Sequence, residues 1–584
     1  SSGEFLTYPL SIVARGDTAP GLCGSPWVVN NPSLFGNAGK IVGIHSWGIQ
    51  GMIGSTPISI EALEAVAAEF EQFTPSEVQM TLQEDSDAET PLEYHKFHGI
   101  VPGTEAYFQP RKTEIRPSPV CNEIFPVTHQ PAVLSKNDRR LQDPSVFELN
   151  LFKKTDEKTK WFKDDTQIKQ AADQIAIELI ELPRDVEPRK LTLSEAINGV
   201  DGLPYTEDSG LEMRNSPGYP FNKKPGKGKF PFFQVLPQKL GERLKYEIKD
   251  PYLFERVRRR IEFAKRGEVP PNSIWLDVMK DELRKIPKIK SGATRIVNAP
   301  PLDLMIVWNI YFGAFRLMFM KPDNVGEPLE SALGVDPKVF WPKIALKIKS
   351  SVAAFGIDYT AFDSSQNAEF YKIIVEIINQ WYDQSPENTE EDNQIRRTMY
   401  YEVGHTLHLF GNQIYTDDHG LPSGVCGGFT TITNIMVNKF ISRVAFQRTG
   451  LHVSLFKKYI GAIFMGDDNL QWINPTTDPE VATKLLKYNR INLAVVAGEI
   501  GMTVTMPNKS LDLTEFDTFE ELTFLKCGFG DNIIKGYFLP TMEKETIYNL
   551  INWYRPKHNP DQFRENIHEA CKFAAPHGKA FYDE

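Results

Sequence analysis

Residues 458–473 read KKYIGAIFMGDDNLQW, two short apolar runs joined by Gly466-Asp467-Asp468-Asn469. Gly, Asp and Asn tolerate the backbone angles of a tight turn, so the stretch predicts a β-hairpin with two acids at its tip. Adjacent carboxylates repel, and folding alone gives no reason to place them there. A divalent cation removes the conflict. The pair therefore points to Asp467 and Asp468 holding Mg²⁺ for phosphoryl transfer. An isolated Asp-Asp is by default a solvated turn, so the reading depends on matching parts elsewhere.

The first matching part lies upstream. Residues 352–357 form an apolar strand ending in Asp358-Tyr359-Thr360-Ala361-Phe362-Asp363-Ser364-Ser365, with a helix expected over 368–382. An Asp at the carboxyl end of a strand is well placed to hold a metal, so Asp358 is the third expected ligand. Asp363 stands where the chain turns into the helix, and capping that helix is its plain alternative. Residues 420–438, GLPSGVCGGFTTITNIMVN, are a Gly-rich loop running into a helix with Ser and Asn on its inner side. A reader of the ribose 2′-OH needs hydrogen-bonding side chains near the acids; the candidates are Asp363, Ser423 and Asn434. Past the hairpin, 497–509 read as a helix end, a turn and a strand, with Lys509 placed to donate a proton to departing pyrophosphate.

Two further stretches supply positive charge. Asn215-Ser216-Pro217-Gly218-Tyr219-Pro220-Phe221 is held away from helix by Pro and Gly and is followed by Lys223, Lys224, Lys227 and Lys229. Such a loop suits a channel for a single-stranded backbone, with Tyr219 or Phe221 available to pack or stack. Lys280-Asp281-Glu282-Leu283-Arg284 opens a second basic segment that continues through Lys285, Lys288, Lys290 and Arg295. Broken by Pro287 and Gly292, it is an irregular or hairpin element whose charge would neutralise a triphosphate. A solvated charge run is the plainer reading.

At 584 residues the chain is long enough for several sub-domains, and 41% hydrophobic and 24% charged residues describe an ordinary globular protein. The net charge of −11 argues against holding nucleic acid by overall charge, although a locally basic channel would suffice. Five scattered cysteines without a CxxC pair predict neither a disulfide framework nor a zinc site. The longest apolar run, residues 304–320, is interrupted by Asn309 and Arg316 and predicts a buried helix, with no transmembrane segment expected. No secretory signal is visible at the N-terminus.

Residues 1–65 have another texture, rich in Gly, Ser, Val and Ile with strand-like runs at Trp27-Val28-Val29 and residues 40–44, as in a small antiparallel barrel. Gly21-Leu22-Cys23-Gly24-Ser25-Pro26 sets glycines around a thiol, where backbone N–H groups can face an oxyanion. Further on, Gly43-Ile44-His45-Ser46-Trp47-Gly48 follows a strand. Together these resemble the C-terminal barrel of the chymotrypsin-like cysteine proteases of picorna-like viruses. The resemblance implies Cys23 as nucleophile and His45 as a lining residue of the substrate pocket. The base that would activate the thiol belongs to an N-terminal barrel upstream, so negligible proteolysis is expected. Residues 66–95 contain Glu84-Asp85-Ser86-Asp87-Ala88-Glu89 and read as a linker carrying a polyprotein junction after Gln72, Gln79 or Gln83.

The ordered set SPGYPF, KDELR with its following TR, DYTAFD, PSG with TTITN, GDDN, Pro-Asn-Lys and FLKC covers residues 96–584. It closely resembles the RNA-dependent RNA polymerases of picorna-like viruses, iflaviruses or dicistroviruses in particular. The resemblance implies a closed right hand, with an α+β palm near 350–525, largely helical fingers, and a thumb over 530–584. It implies Mg²⁺ or Mn²⁺ on Asp358, Asp467 and Asp468, nucleoside triphosphates, an RNA template and primer, often a peptide primer, and no DNA. Lys280, Arg284, Lys288 and Arg295 would meet the triphosphate, Ser216, Pro217 and Gly218 the template, and Lys509 would be the acid. The setting would be virus replication complexes in the host cytoplasm. The loop between Ser423 and Asn434 is longer than the common picornaviral form. A reverse transcriptase shares the paired acids, but usually excludes the 2′-OH with an aromatic side chain. Two rival functions remain open to the sequence: a non-catalytic RNA-binding precursor silenced by its N-terminal extension, and a working protease.

Overall fold

In the computed structural model, residues 12–15, 26–29, 40–49, 52–57 and 95–100 are described, as is the chain from 112 onward except 153–158, 203–204, 206–208, 240–241, 272, 418, 557–558 and 560. The chain divides into two compact units, Ser1–Thr81 and Leu82–Glu584. The first contains β1 (Ile12–Arg15), β2 (Pro26–Val29), β3 (Lys40–Ile49) and β4 (Met52–Pro57), an antiparallel sheet of order β1-β4-β3-β2. Both strand-like runs expected here are strands. The segment around His45 lies inside β3 and does not follow it.

The second unit begins its described part with β5 (His95–Ile100). Along the chain come α1 (Thr166–Ile180), α2 (Pro251–Lys265), β6 (Ile274–Met279), β7 (Ile296–Ala299) and α3 (Leu302–Met320). Next are β8 (Ala353–Thr360), α4 (Glu369–Tyr382), α5 (Glu390–Gly404), β9 (Leu407–Phe410), β10 (Gln413–Asp417) and α6 (Phe429–Gln447). The palm hairpin β11 (Ile460–Met465) and β12 (Asp468–Ile473) follows, then α7 (Arg490–Glu499) and β13 (Thr503–Thr505). The chain ends with β14 (Cys527–Ile534), β15 (Tyr537–Met542), α8 (Lys544–Asn552), α9 (Gln562–Ala574) and a last short turn of helix.

Two sheets organise this unit. One is β7-β6-β9-β10-β5, antiparallel except for the parallel pair β6–β9. His95 already belongs to it, so the boundary that composition set after residue 95 falls one residue inside a strand. The other is the antiparallel sheet β11-β12-β8-β13. Its central strand β8 is buried almost throughout, as its unbroken apolar run requires.

Helices cover this sheet because their apolar residues recur at helical spacing. On α4 the buried Phe370, Ile374, Ile377, Ile378 and Trp381 form one stripe. The N-terminus of α5 is closed by a reciprocal capping box between Thr389 and Asp392. Helix α3 is long and apolar enough to cross a membrane, but it is the buried centre of the core, with Trp308, Phe312 and Phe315 nearly inaccessible.

The two ends of this unit are tied together. Trp553 and Tyr554 pair with Pro117 and Arg116, and Ser118 N–H donates to the Asn552 carbonyl at 2.9 Å. Phe125 stacks on Tyr548 with ring centroids 4.4 Å apart. The C-terminal helices are thereby fastened to the segment preceding the main strands of the β5-containing sheet.

Candidate active site

Strands β11 and β12 pair from Ile460↔Ile473 to Met465↔Asp468, leaving only Gly466 and Asp467 in the loop. Gly466 has φ +64°, the left-handed angle that the first position of such a two-residue loop demands. The turn is tighter than four residues. Asp468 and Asn469 are already strand residues and point to opposite faces. On the neighbouring strand Ile357 pairs with Asn469. Continuing that register by one position sets Asp358 opposite Asp468, about 5 Å away between backbones and on the same face. On its other side Asp358 pairs with Thr505 of β13. Acids from well-separated parts of the sequence thus meet at one sheet edge.

Their charges conflict. Burial pushes the Asp468 carboxyl up to about 7, with Asp467 and Asp358 adding to the rise and Lys509 and Lys526 opposing it. Burial also raises Asp358, Asp467 adds to it, and a hydrogen bond from Lys509 pulls the other way. Lys509 sits in the turn after β13, at φ +70°, with its N–H on the Met506 carbonyl at 2.8 Å. Its ammonium makes a direct ion pair with Asp358. Lys526 belongs to a two-residue turn, Leu525-Lys526, with φ of 51° and 61° between the bridged Phe524 and Cys527. Two non-glycine residues held there carry backbone strain beside the site.

Among the described residues, no three His, Cys, Asp or Glu side chains stand at metal-cage spacing. The donor chemistry nevertheless fits a hard divalent cation: acid oxygens on one edge, raised by burial and mutual repulsion, with a lysine ammonium drawn onto one of them. The raised value has a pH signature. The folded value of Asp468, about 7, lies above its ordinary 3.8, so its stabilising contribution is complete below the lower value and lost as pH rises through the upper one. In chelator, the melting temperature should fall more steeply between roughly pH 4 and pH 7 in the parent than in Asp468→Asn. Equal slopes would overturn this account.

Behind the acids, α6 presents a polar stripe at every fourth residue: Asn434, Asn438 and Ser442, all buried. Asn438 Nδ2 donates to the Gly466 carbonyl at 3.0 Å, and its Oδ1 accepts from Asn469 Nδ2 at 2.9 Å and from the Tyr359 hydroxyl at 3.0 Å. Ser442 Oγ accepts from Gln471 Nε2 at 3.1 Å. These side chains hold the hairpin, a role that the sequence reading assigned to none of them. The helical spacing of Asn434, Asn438 and Ser442 was the signal that could have found it.

Of the three expected ribose readers, the structure joins two. Asn434 Nδ2 donates to Asp363 Oδ1 at 2.7 Å. Ser423 is exposed and bonds to Asn298 of β7: its N–H donates to Asn298 Oδ1 at 2.9 Å, and its Oγ accepts from the Asn298 N–H at 3.2 Å. Asn298 in turn donates to Asp277 Oδ1 at 2.7 Å. A Cβ on Gly424 would lie 1.8 Å from the Asn298 carbonyl, so the loop must carry glycine there to reach β7. Asp363 does not cap α4, whose N-terminal flank is Ala368; the capping role is excluded.

Three of the four expected triphosphate contacts converge, and the convergence is on an acid. Glu282 accepts from Arg295 Nε at 2.6 Å, with Lys280 Nζ at 3.5 Å and Arg284 Nη1 at 3.7 Å. Asp467 and Asp363 also lie close enough to favour the Arg295 charge, after Glu282. Lys288 is exposed on the helix Ile286–Lys290, and its carbonyl accepts from the Ala293 N–H at 3.0 Å. Asp281 is structural. It receives Thr113 Oγ1 at 2.7 Å and Glu114 N–H at 2.8 Å, and pairs with Arg555 at 3.4 Å.

The Ser216-Pro217-Gly218 loop lies against the segment after β7. A Cβ on Gly218 would come within 2.1 Å of the Pro300 carbonyl, and the Gly218 N–H donates to Ser216 Oγ at 3.2 Å. Of the two roles open to Tyr219 and Phe221, packing or stacking, the structure shows packing. Both rings are buried, Phe221 within the main core, and Lys223 lies over Tyr219 at 5.2 Å. Lys229 is also buried, bonded to the Glu212 carbonyl at 2.8 Å, and does not contribute to an exposed basic track.

In the first unit His45 is buried, pairs with Ser55 across β3 and β4, and stacks on Trp27 at 6.4 Å. Cys23, the acidic stretch 84–89 and Gln72, Gln79 and Gln83 lie outside the described residues.

Acids on adjacent antiparallel strands, backed by a helix bearing hydrogen-bonding side chains, in a chain of mixed helices and sheets, are the arrangement of a right-hand polymerase. The chain belongs to the viral RNA-dependent RNA polymerase family, whose model matches residues 121–584, and it is of the picornavirus-like polyprotein kind. It is 28% identical over 573 residues to the genome polyprotein of Human rhinovirus C (strain C15), covering 97% of this chain and 22% of that one. It is 28% identical over 476 residues to that of Poliovirus type 3 (81% and 19%) and over 411 residues to that of Rice tungro spherical virus (67% and 11%). The chain thus spans about a fifth or less of the length of these relatives. The solved Sicinivirus 3Dpol RNA-dependent RNA polymerase has the same fold, with a TM-score of 0.65 and 24% identity over 84% of this chain and 92% of that one.

Proposed function

We propose that this chain synthesises RNA from nucleoside triphosphates on an RNA template and primer, in the replication of a positive-strand RNA virus. The observation that carries the reading is the meeting of Asp358 with Asp467 and Asp468 at one sheet edge. These three side chains would hold two Mg²⁺ or Mn²⁺ ions, which when bound supply activation of the primer 3′-OH and neutralisation of triphosphate charge. Lys509, already beside Asp358, holds at Nζ the proton that the departing pyrophosphate takes up. Arg295, aimed by Glu282 toward the acids, orients the triphosphate. Asn434 and Asp363 read the 2′-OH, and Ser423, held by Asn298, would join them from the loop. Ser216, Pro217 and Gly218 guide the template. Lys280 and Arg284 add countercharge around the triphosphate, and Lys288 contributes at longer range.

Elongation of a radiolabelled primed RNA, with and without chelator and with DNA template and deoxynucleotides as competitors, tests this. Extension abolished by chelator and confined to RNA and ribonucleotides is expected; preference for DNA would favour a reverse transcriptase. Arg295→Ala should raise KM for the triphosphate about tenfold with a smaller change in kcat. An unchanged KM would remove Arg295 from the site.

The first unit fits the C-terminal part of a cysteine protease, a partial antiparallel barrel with Cys23 as nucleophile and His45 at the substrate pocket, joined through a 66–95 linker. The match to the rhinovirus polyprotein over nearly the whole chain supports that order. No turnover of a cleavable peptide is expected. The same reading extends to an iflavirus or dicistrovirus origin, a viral peptide as primer, and replication complexes in the host cytoplasm.

A further inference from the structure

Asp363 and Asn434 hold each other, but an amide is a two-ended group. A single bond to Asp363 leaves the Asn434 side chain free to swing its oxygen toward a ligand and its nitrogen elsewhere. The structure supplies a third member. Gln366 is fully buried, and its Nε2 donates to Asn434 Oδ1 at 2.5 Å. Gln366 Oε1 accepts from the Tyr371 hydroxyl at 3.4 Å, and the Gln366 carbonyl accepts from the Gly420 N–H at 2.8 Å. The last bond ties the same residue to the start of the Gly-rich loop.

The direction of this chain of bonds is dictated from its ends. A carboxylate only accepts, so Asn434 must offer its NH₂ to Asp363. Its oxygen is then turned to Gln366, which must offer its own NH₂ and turn its oxygen to a donor. Tyr371 can be that donor, because burial and the Asp363 charge both hold its hydroxyl proton in place. Every amide in the row therefore has one allowed orientation, and the buried members have no solvent to compensate a wrong one.

We propose that Gln366 is a positioning residue for ribose selection, fixing the orientation of the Asn434 amide relative to Asp363 without touching the nucleotide. This rests on the reading of Asn434 and Asp363 as the 2′-OH reader. It accounts for a polar side chain at a fully buried position between the β8 turn and α4, where an unpaired amide would be costly.

Two near-isosteric substitutions separate orientation from packing. Gln366→Glu keeps the shape but faces an acceptor with an acceptor; Gln366→Met keeps the volume and removes both polar ends. Each should lower the ratio of kcat/KM for ribo- over deoxyribonucleotides about tenfold, through a raised KM for the ribonucleotide. Tyr371→Phe, which removes only the distant and longer bond, should lower it about threefold and covers the case in which the Gln366 variants fail to fold. Asn434→Ala is measured in parallel. If it leaves the ratio unchanged, the ribose-reader assignment falls and this inference with it. If Asn434→Ala collapses the ratio while Gln366→Glu, Gln366→Met and Tyr371→Phe slow both nucleotides equally, Gln366 is only structural and this inference alone is overturned.

Discussion

Asp467→Asn is expected to lose RNA synthesis by on the order of 10³-fold while melting at the parent temperature or above it. The two halves of this result have one cause. Asp467 is the tip residue of a two-residue hairpin loop, and no backbone requirement of that loop needs a carboxylate. Its charge raises both Asp468 and Asp358, so removing it relieves two repulsions in the metal-free fold against a smaller loss at Arg295, which Glu282 still holds. A cation held by these acids loses a formal charge of its cage at the point where phosphoryl charge develops. Synthesis retained in Mg²⁺ would refute the assignment, and a lowered melting temperature would refute the account of the repulsion. Asp358→Asn differs in one respect, because it also releases Lys509. Burial and Asp467 outweigh that bond at Asp358, so its melting temperature should stay at or above the parent's, by a smaller margin than for Asp467→Asn.

Glu330→Gln is expected to cost about 3–5 kcal/mol of stability. Glu330 is buried between α6 and the palm hairpin. Lys439 Nζ lies 2.6 Å from its Oε2, and Arg443 donates to its two oxygens at 3.0 and 3.1 Å. Arg443 also reaches Glu178 of α1 at 2.5 Å, and the Glu330 carbonyl accepts from Phe464 N–H at 2.9 Å. Burial by itself would push the Glu330 carboxyl up, but Arg443, Lys439 and Lys457 overcome it and hold the group down to about 2. A neutral amide would leave two buried cations with one acid, Glu178, which bonds Arg443 and not Lys439.

The sign of the pH effect follows from the lowered value. The contribution of Glu330 is complete above its ordinary 4.5 and is lost as pH falls toward 2. Urea unfolding at neutral pH should show the full difference between parent and Glu330→Gln, and the difference should shrink on acidification. A loss below about 1 kcal/mol at neutral pH would mean that solvent reaches the pair. The same helix carries Asn434 and Asn438, so the destabilised variant should also lose elongation activity at temperatures where it remains folded.

The local signals in the chain were strong where one short segment carries the whole physics. Gly466-Asp467 announces a hairpin because only such residues meet the angle of the turn, and Asp358 announces itself by closing an apolar run, although the strand continues two residues past it to Thr360. Aromatic residues beside a loop carried no comparable signal. Tyr219 and Phe221 follow Pro and Gly in a stretch that suggests exposure, yet both rings are buried, because burial depends on what lies opposite and not on neighbours in sequence. Ser423 was grouped with Asp363 and Asn434 by the run of motifs along the chain. In space Ser423 bonds to Asn298 of β7, a partner that no spacing along the chain could announce.

By itself the sequence determined the ordered succession of turns, strands and helices and the acids that end them, since φ preferences and hydrophobic period are properties of a few neighbouring residues. Only the tertiary structure decided the partners: Glu282 among three cations, Glu330 between two, and Gln366 behind Asn434. Each of those choices depends on a register between strands or a helix face meeting a loop. A hydrogen bond between residues far apart in the chain leaves no mark in the composition of either end, because Glu, Gln and Asn are the same residues whether solvent or a buried neighbour completes them.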